Sequence, residues 1–193
     1  LATGLDRWPD PTAAAVVVDA TGELAAHGPV DEPMPLASLS KPMAAWATLV
    51  AVEEGVVVLD DPVGPPGCTL RHLLAHASGL PFEGDAPTER PATVRIYSNT
   101  GYDLIAHHVA AAAGIPFAEY LHEAVFEPLG MSASRLDGSA AHGVRSSARD
   151  VARFLDEMLR PQLLAPTTAD DATAAQYPDL AGVVPGIARF DPC

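Results

Sequence analysis

Almost all the sheet that this chain announces is one β-hairpin, and five helical segments follow it. Residues 13–18 are β-branched and alanine-rich. The turn around Asp19-Ala20-Thr21-Gly22 leads into a returning strand over 23–27, with Gly22 at the conformationally permissive turn position. Helical character then runs over 38–54, stopping before Gly55 and admitting Pro42 in its first turn. It returns over 70–77 behind a Thr69 cap, over 101–113 closed by Gly114, over 116–126, and over 147–159 from Ser147. Residues 28–37 and 82–93 read as proline-containing loops, 56–59 as a short extended piece, and 161–193 as irregular with one short helix. One hairpin cannot cover five helices. The pattern therefore predicts an α/β body carrying a helical insertion, with more sheet than these residues supply.

Composition narrows the partners. Hydrophobic residues make up 48% and charged residues 19%, enough for a sizeable core. Eleven basic against 25 acidic residues give a net charge of −14, which repels phosphate backbones and anionic membranes; nucleic-acid binding and membrane insertion are not expected. Cys68 and Cys193 form neither a disulfide framework nor a metal motif and read as free thiols. No basic-then-apolar leader opens the sequence, so cytoplasm is the default compartment, although a mature secreted form would look similar. Oligomeric state is not legible.

Three local signals carry chemistry. Lys41 is the chain's only lysine and lies three positions after Ser38, in Ser38-Leu39-Ser40-Lys41. One helical turn separates them, so the amine shares a face with the hydroxyl and can reach it. An unassisted serine is a poor nucleophile, and a lysine acting as its base has to give up its proton near neutral pH, which takes burial or a neighbouring cation. The apolar residues on either side offer that burial; the competing reading is a capping serine beside a solvated lysine. Ser40 is the rival nucleophile, but as the neighbour of Lys41 it faces elsewhere on a helix. Tyr97-Ser98-Asn99 is the second signal: a phenol that can relay a proton and an amide that can hold a carbonyl, or else a packed tyrosine and an Asn N-cap. His72 and His76, four apart, have metal-ligand spacing without a third ligand, and packing or capping is the preferred reading; no metal or cofactor is expected. A histidine–aspartate triad is not excluded by counting, with Asp19, Asp60, Asp61, Asp103 and Asp150 available, but no Gly-x-Ser-x-Gly elbow surrounds Ser38.

Five blocks, in order and spacing, resemble the penicillin-recognising serine hydrolases, especially the class C β-lactamase, D-alanyl-D-alanine carboxypeptidase and related esterase branch. They are Ala37-Ser38-Leu39-Ser40-Lys41-Pro42; Leu70 through Pro81, containing His76-Ala77-Ser78-Gly79-Leu80; Tyr97-Ser98-Asn99-Thr100-Gly101-Tyr102; Phe126-Glu127-Pro128-Leu129-Gly130-Met131; and Gly143 through Asp150. The resemblance implies an α/β (α+β) sandwich of an antiparallel sheet flanked by helices, with an inserted all-helical subdomain. It implies residues 1–61 as the first part of the α/β domain with the nucleophile helix, 62–160 as the helical subdomain, and 161–193 as a return segment. It also implies Ser38 as nucleophile, Lys41 as its activator, Tyr97 as proton relay and Asn99 as contact to the substrate amide. The substrate would be a small ester or amide, as for an esterase, a β-lactamase or a D-Ala-D-Ala peptidase.

The family's third motif, a Lys- or His-x-Gly on an edge strand, is not found, and His142-Gly143 lies in the wrong block. The expectation is accordingly a truncated version of a longer hydrolase, whose isolated 1–193 portion would be unstable and nearly inactive. The alternative is a catalytically silent binding or scaffold protein that keeps Ser38 and Asn99 as helix caps.

Overall fold

The computed structural model describes Gly4 and residues 10–19, 21–184 and 186–190. The expected hairpin is present. Strand β1 (Ala15–Asp19) pairs antiparallel with β2 (Gly22–His27), in the register Ala15 with His27 and Asp19 with Gly22, with an irregularity between Val17 and Val18. Gly28 lets the exit from β2 fold back against Ala13: its φ is +76°, and a Cβ there would sit 2.0 Å from the Ala13 carbonyl oxygen.

The segment read as one helix over 38–54 is split. A 3₁₀ turn covers Ala37–Leu39, and helix α1 runs Ser40–Glu53. Pro42 supplies the reason, because it has no N–H to give the Ser38 carbonyl and the first turn tightens instead. Helix α1 is buried on most of its surface through Met43, Ala44, Trp46, Ala47, Leu49 and Ala51. A helix buried all round needs packing on every side, and α1 is the centre of the core, alongside Leu70, Leu73, Ile105, Phe126 and Phe154.

Helix α2 (Leu70–Leu74) stops three residues before the expected 77. Its N-terminus uses His72, whose Nδ1 accepts from Thr69 N–H at 3.1 Å, while His76 turns into the left-handed region at φ +56°. The extended piece expected over 56–59 is not a strand; Val56 and Val57 N–H return to the Ala51 carbonyl at the end of α1. Helix α3 (Asn99–Ala113) is capped by Ser98, whose Oγ accepts from Gly101 N–H at 3.1 Å, and closes at Gly114 with φ +75°. Helix α4 (Phe117–Leu121) runs into a π-helical turn, His122–Phe126. Helix α5 (Ala148–Leu159) is capped by Ser147, as read, and packs on β1; α6 (Pro166–Thr173) is the one short helix of the last segment.

Two further sheets were not legible in the sequence. Strands β3 (Met34–Pro35), β5 (Arg135–Leu136) and β6 (Val144–Ser146) form an antiparallel sheet in the order β3-β6-β5. Strand β4 (Arg95–Ile96) pairs in parallel with β7 (Gly182–Val184), which pairs antiparallel with β8 (Ala188–Phe190). The stretch read as irregular thus contains a hairpin. The whole is an α/β sandwich, with mainly antiparallel sheets flanked by helices and a distinct helical cluster. No helix of the described residues is long and apolar enough to cross a membrane. Cys68 is a buried free thiol, its pKa pushed up to about 11 by burial; Cys193 lies outside the described residues.

Candidate active site

The 3₁₀ turn ahead of α1 puts Ser38 at the surface and Lys41 inside. Ser38 is exposed, whereas Lys41 is only 3% exposed. Ala37 adopts φ +48°, a conformation that costs a non-glycine residue roughly 1–3 kcal/mol and persists only when its surroundings hold it. Here Ser40 does the holding. Its Oγ donates to the Ala37 carbonyl at 2.7 Å and accepts from Val144 N–H of β6 at 2.9 Å. Ser40 is fully buried and both bonds are internal, so the rival nucleophile is a tie between the turn and the sheet.

The four residues singled out in the sequence converge on one amine. Lys41 Nζ donates to Asn99 Oδ1 at 2.6 Å, to the Ala141 carbonyl at 3.0 Å and to Ser38 Oγ at 3.3 Å. It also lies 4.5 Å from the centroid of the Tyr97 ring and 5.7 Å from that of Tyr102. Ser38 and Asn99 therefore do not act as the helix caps the alternative reading required. The 3₁₀ turn and α1 begin without a side-chain cap bond, and Ser98 caps α3. Nor is there a histidine in the arrangement: among the described residues Lys41 is the hydrogen-bond partner of Ser38 Oγ, and the Asp61–His108 pair (3.0 Å) does not involve Ser38.

Asn99 has both ends of its amide committed. Lysine only donates and a carboxylate only accepts, so Oδ1 faces Lys41 and Nδ2 faces Glu83, donating to Glu83 Oε1 at 2.7 Å. Behind them, the Asp103 carboxyl accepts from Ser139 Oγ at 2.7 Å and from Ala140 N–H at 3.1 Å, fixing the loop that offers the Ala141 carbonyl. Glu83, Ser139 and Ala141 were missed in the sequence, and Asp103 was named there only as an available triad aspartate. Ala141 acts through its backbone and gives no side-chain signal; the other contacts span 16 to 37 positions.

His76 is a packing residue and hydrogen-bond acceptor. Its ring lies 4.6 Å from that of Tyr97 and 5.2 Å from that of Tyr102, and Nδ1 accepts from Ser98 N–H at 3.1 Å. His72 stacks on Tyr177 at 5.4 Å. Burial, with help from the charges of Lys41 and Arg95, pulls the His76 pKa from 6.5 down to about 3. Because the folded value is the lower one, the unfolded chain binds the extra proton. This contribution to stability is complete above pH 6.5 and is lost as pH falls toward 3, at a slope of up to about 1.4 kcal/mol per pH unit. Urea titrations between pH 4 and 7.5 should show that slope shrink in His76→Asn; equal slopes in the two proteins would remove His76 as its source.

A cleft of about 690 Å³ opens beside these groups, lined by Ser38, Lys41, Trp46, Leu49, Tyr97 and Met158 among others. An α/β sandwich with a serine and a buried lysine meeting at the mouth of such a cleft is the serine-hydrolase arrangement, and that is the class this fold defines. The chain belongs to the beta-lactamase family, whose sequence model matches residues 10–186. It is similar to the crystal structure of a beta-lactamase from Mycobacterium bovis, at 48% identity and a TM-score of 0.95, over 98% of this chain and 71% of that one. It is also similar to penicillin-binding protein 4* of Bacillus subtilis (strain 168), 33% identical over 52% of this chain and 30% of that protein. With the D-alanyl-D-alanine-carboxypeptidase/endopeptidase AmpH of Escherichia coli (strain K12) it shares 30% identity, over 53% of this chain and 36% of that one. The matched stretch thus spans about a third of each of these two curated relatives.

Proposed function

We propose that the protein hydrolyses a small ester or amide through an acyl-enzyme on Ser38. The observation that carries this reading is the position of Lys41 Nζ, 3.3 Å from Ser38 Oγ and held there by Asn99 and the Ala141 carbonyl. Once unprotonated, Lys41 takes the Ser38 proton as Oγ attacks the substrate carbonyl carbon. The Ser38 backbone N–H supplies one donor to the oxyanion. As the intermediate collapses, Tyr97 and Lys41 return a proton to the leaving group, which departs and leaves an ester on Ser38. Water then attacks that ester and gives its proton to the same pair, which passes it to Ser38 Oγ as the acyl–oxygen bond breaks and the acid leaves. Asn99 positions the lysine and reaches the acyl side of the substrate. The same reading places the helical subdomain at residues 62–160, between an α/β portion at 1–61 and a return segment at 161–193. The names of the relatives span β-lactams and D-alanyl peptides, and simple esters share the chemistry.

The test is the intact mass of the full-length protein after exposure to a β-lactam and, separately, to a fluorophosphonate, with adduct peptides mapped. An adduct on Ser38 that is lost in Ser38→Ala and Lys41→Ala is the expected result. A folded protein that forms no adduct, or forms one elsewhere, would end the hydrolase reading and leave a binding role on the same scaffold.

A further inference from the structure

Helix α3 reaches Lys41 by two routes, and only one of them is direct. Asn99 touches the amine itself. Asp103 lies four positions further along α3, on the same face, and reaches it through the loop 137–143. One oxygen of its carboxyl, Oδ1, accepts from both the Ser139 hydroxyl and the Ala140 N–H. Ser139 Oγ in turn accepts from Ala141 N–H at 3.1 Å, so the N–H groups of Ala140 and Ala141 are both tied back to Asp103. The Ser139 carbonyl closes the turn, accepting from Gly143 N–H at 2.7 Å and from His142 N–H at 3.3 Å. That closure needs a glycine: a Cβ on Gly143 would lie 2.5 Å from the Asp137 carbonyl oxygen and 2.7 Å from that of Ser139. The Ala141 carbonyl leaves this turn aimed at Lys41 Nζ, 3.0 Å away. Asp103 does not line the cleft beside Ser38; it faces a separate cavity of about 380 Å³.

We infer that Asp103 is a positioning residue of the proposed reaction: through Ser139 and Ala140 it aims the Ala141 carbonyl, which together with Asn99 holds Lys41 Nζ at Ser38 Oγ. The inference rests on the Ser38 reading above. A lysine amine rides on a flexible four-carbon stem. Asn99 alone would leave it free to swing about one bond. A second acceptor from a different segment fixes where it sits, and a displacement of about 1 Å is enough to cost about a hundredfold in rate. The charge of Asp103 is not what the relay uses, because both donors are neutral and both meet the same oxygen. An uncharged side chain with one carbonyl oxygen should therefore serve, whereas an apolar one should not.

The experiment follows fluorophosphonate labelling of Ser38 in the full-length protein by intact mass, over probe concentrations that separate the maximal rate from the half-saturating concentration. Asp103→Leu should lower the maximal rate about ten- to a hundredfold and leave the half-saturating concentration within about twofold, because Asp103 does not line the cleft. Asp103→Asn keeps one carbonyl oxygen for both donors and should recover most of that loss. In a Lys41→Met background the same leucine should change the remaining rate by no more than about twofold, since its effect runs through the amine. A merely structural role would slow both backgrounds alike. Should the leucine variant fail to fold, Ser139→Ala breaks the relay at its middle and should cost about tenfold, again only with Lys41 present. A leucine variant as fast as the parent, an asparagine variant as slow as the leucine, or an equal loss with and without Lys41 overturns the assignment, while labelling of Ser38 in the parent leaves the hydrolase reading standing. Absence of labelling in the parent overturns both.

Discussion

Replacing Lys41 with methionine should slow fluorophosphonate labelling of Ser38 by about 10²–10⁴-fold, the range over which a positioned proton acceptor contributes. Methionine fills most of the volume of the lysine stem, so α1 keeps its packing. What disappears is the amine that joins Ser38 Oγ, Asn99 Oδ1 and the Ala141 carbonyl. The two buried acceptors, Asn99 Oδ1 and the Ala141 carbonyl, are left without that donor, and some loss of stability accompanies the loss of rate. Thermal unfolding of the same sample separates the two effects. If Lys41→Met stays folded and labels within about threefold of the parent, Lys41 is not the group that activates Ser38.

The largest effect on stability is expected away from the nucleophile, at Glu157. Its side chain is 2% exposed, and its carboxyl oxygens accept from Trp46 Nε1 at 3.1 Å, Gln162 N–H at 2.9 Å and Leu163 N–H at 3.0 Å. Glu157→Leu is close in size and leaves all three donors without a partner, at a cost of about 3 kcal/mol or more. For a chain of this size that is roughly 6–12 °C in Tm. Glu157→Gln keeps one carbonyl and should lose less. Because Trp46 lines the cleft and meets Phe154 edge-on at 6.0 Å, the leucine variant should also weaken substrate binding in whatever fraction remains folded. An unchanged Tm would show that water satisfies those donors.

What the sequence made legible was local. Ser38 and Lys41 are one helical turn apart, Tyr97 and Asn99 flank one capping serine, and Thr69, Ser147 and Gly114 mark helix ends by their own chemistry. The errors arise where partners are distant. Ser98 and Asn99 are both capping types, and the choice between them was made by Lys41, 58 positions back, which engages the asparagine. Strands β3 and β4 have two residues each, too few for alternation to register; they exist because β6 and β7 pair with them. The 3₁₀ start of α1 was readable in principle, since Pro42 removes a donor at a known offset, but the strain at Ala37 was not.

The loop over 79–93 has a consequence for how proteins built this way diverge. Its anchors are the Gly79 carbonyl, which accepts from Thr88 and Glu89 N–H, and the contacts of Phe82 and Glu83 with Asn99; between them residues 84–87 are exposed. The reactive pair, by contrast, begins a helix packed on nearly every face. Substitutions over 84–87 can therefore accumulate without disturbing the packing that holds Lys41. Tolerance of change and the packing of the serine–lysine pair belong to physically separate parts of the chain.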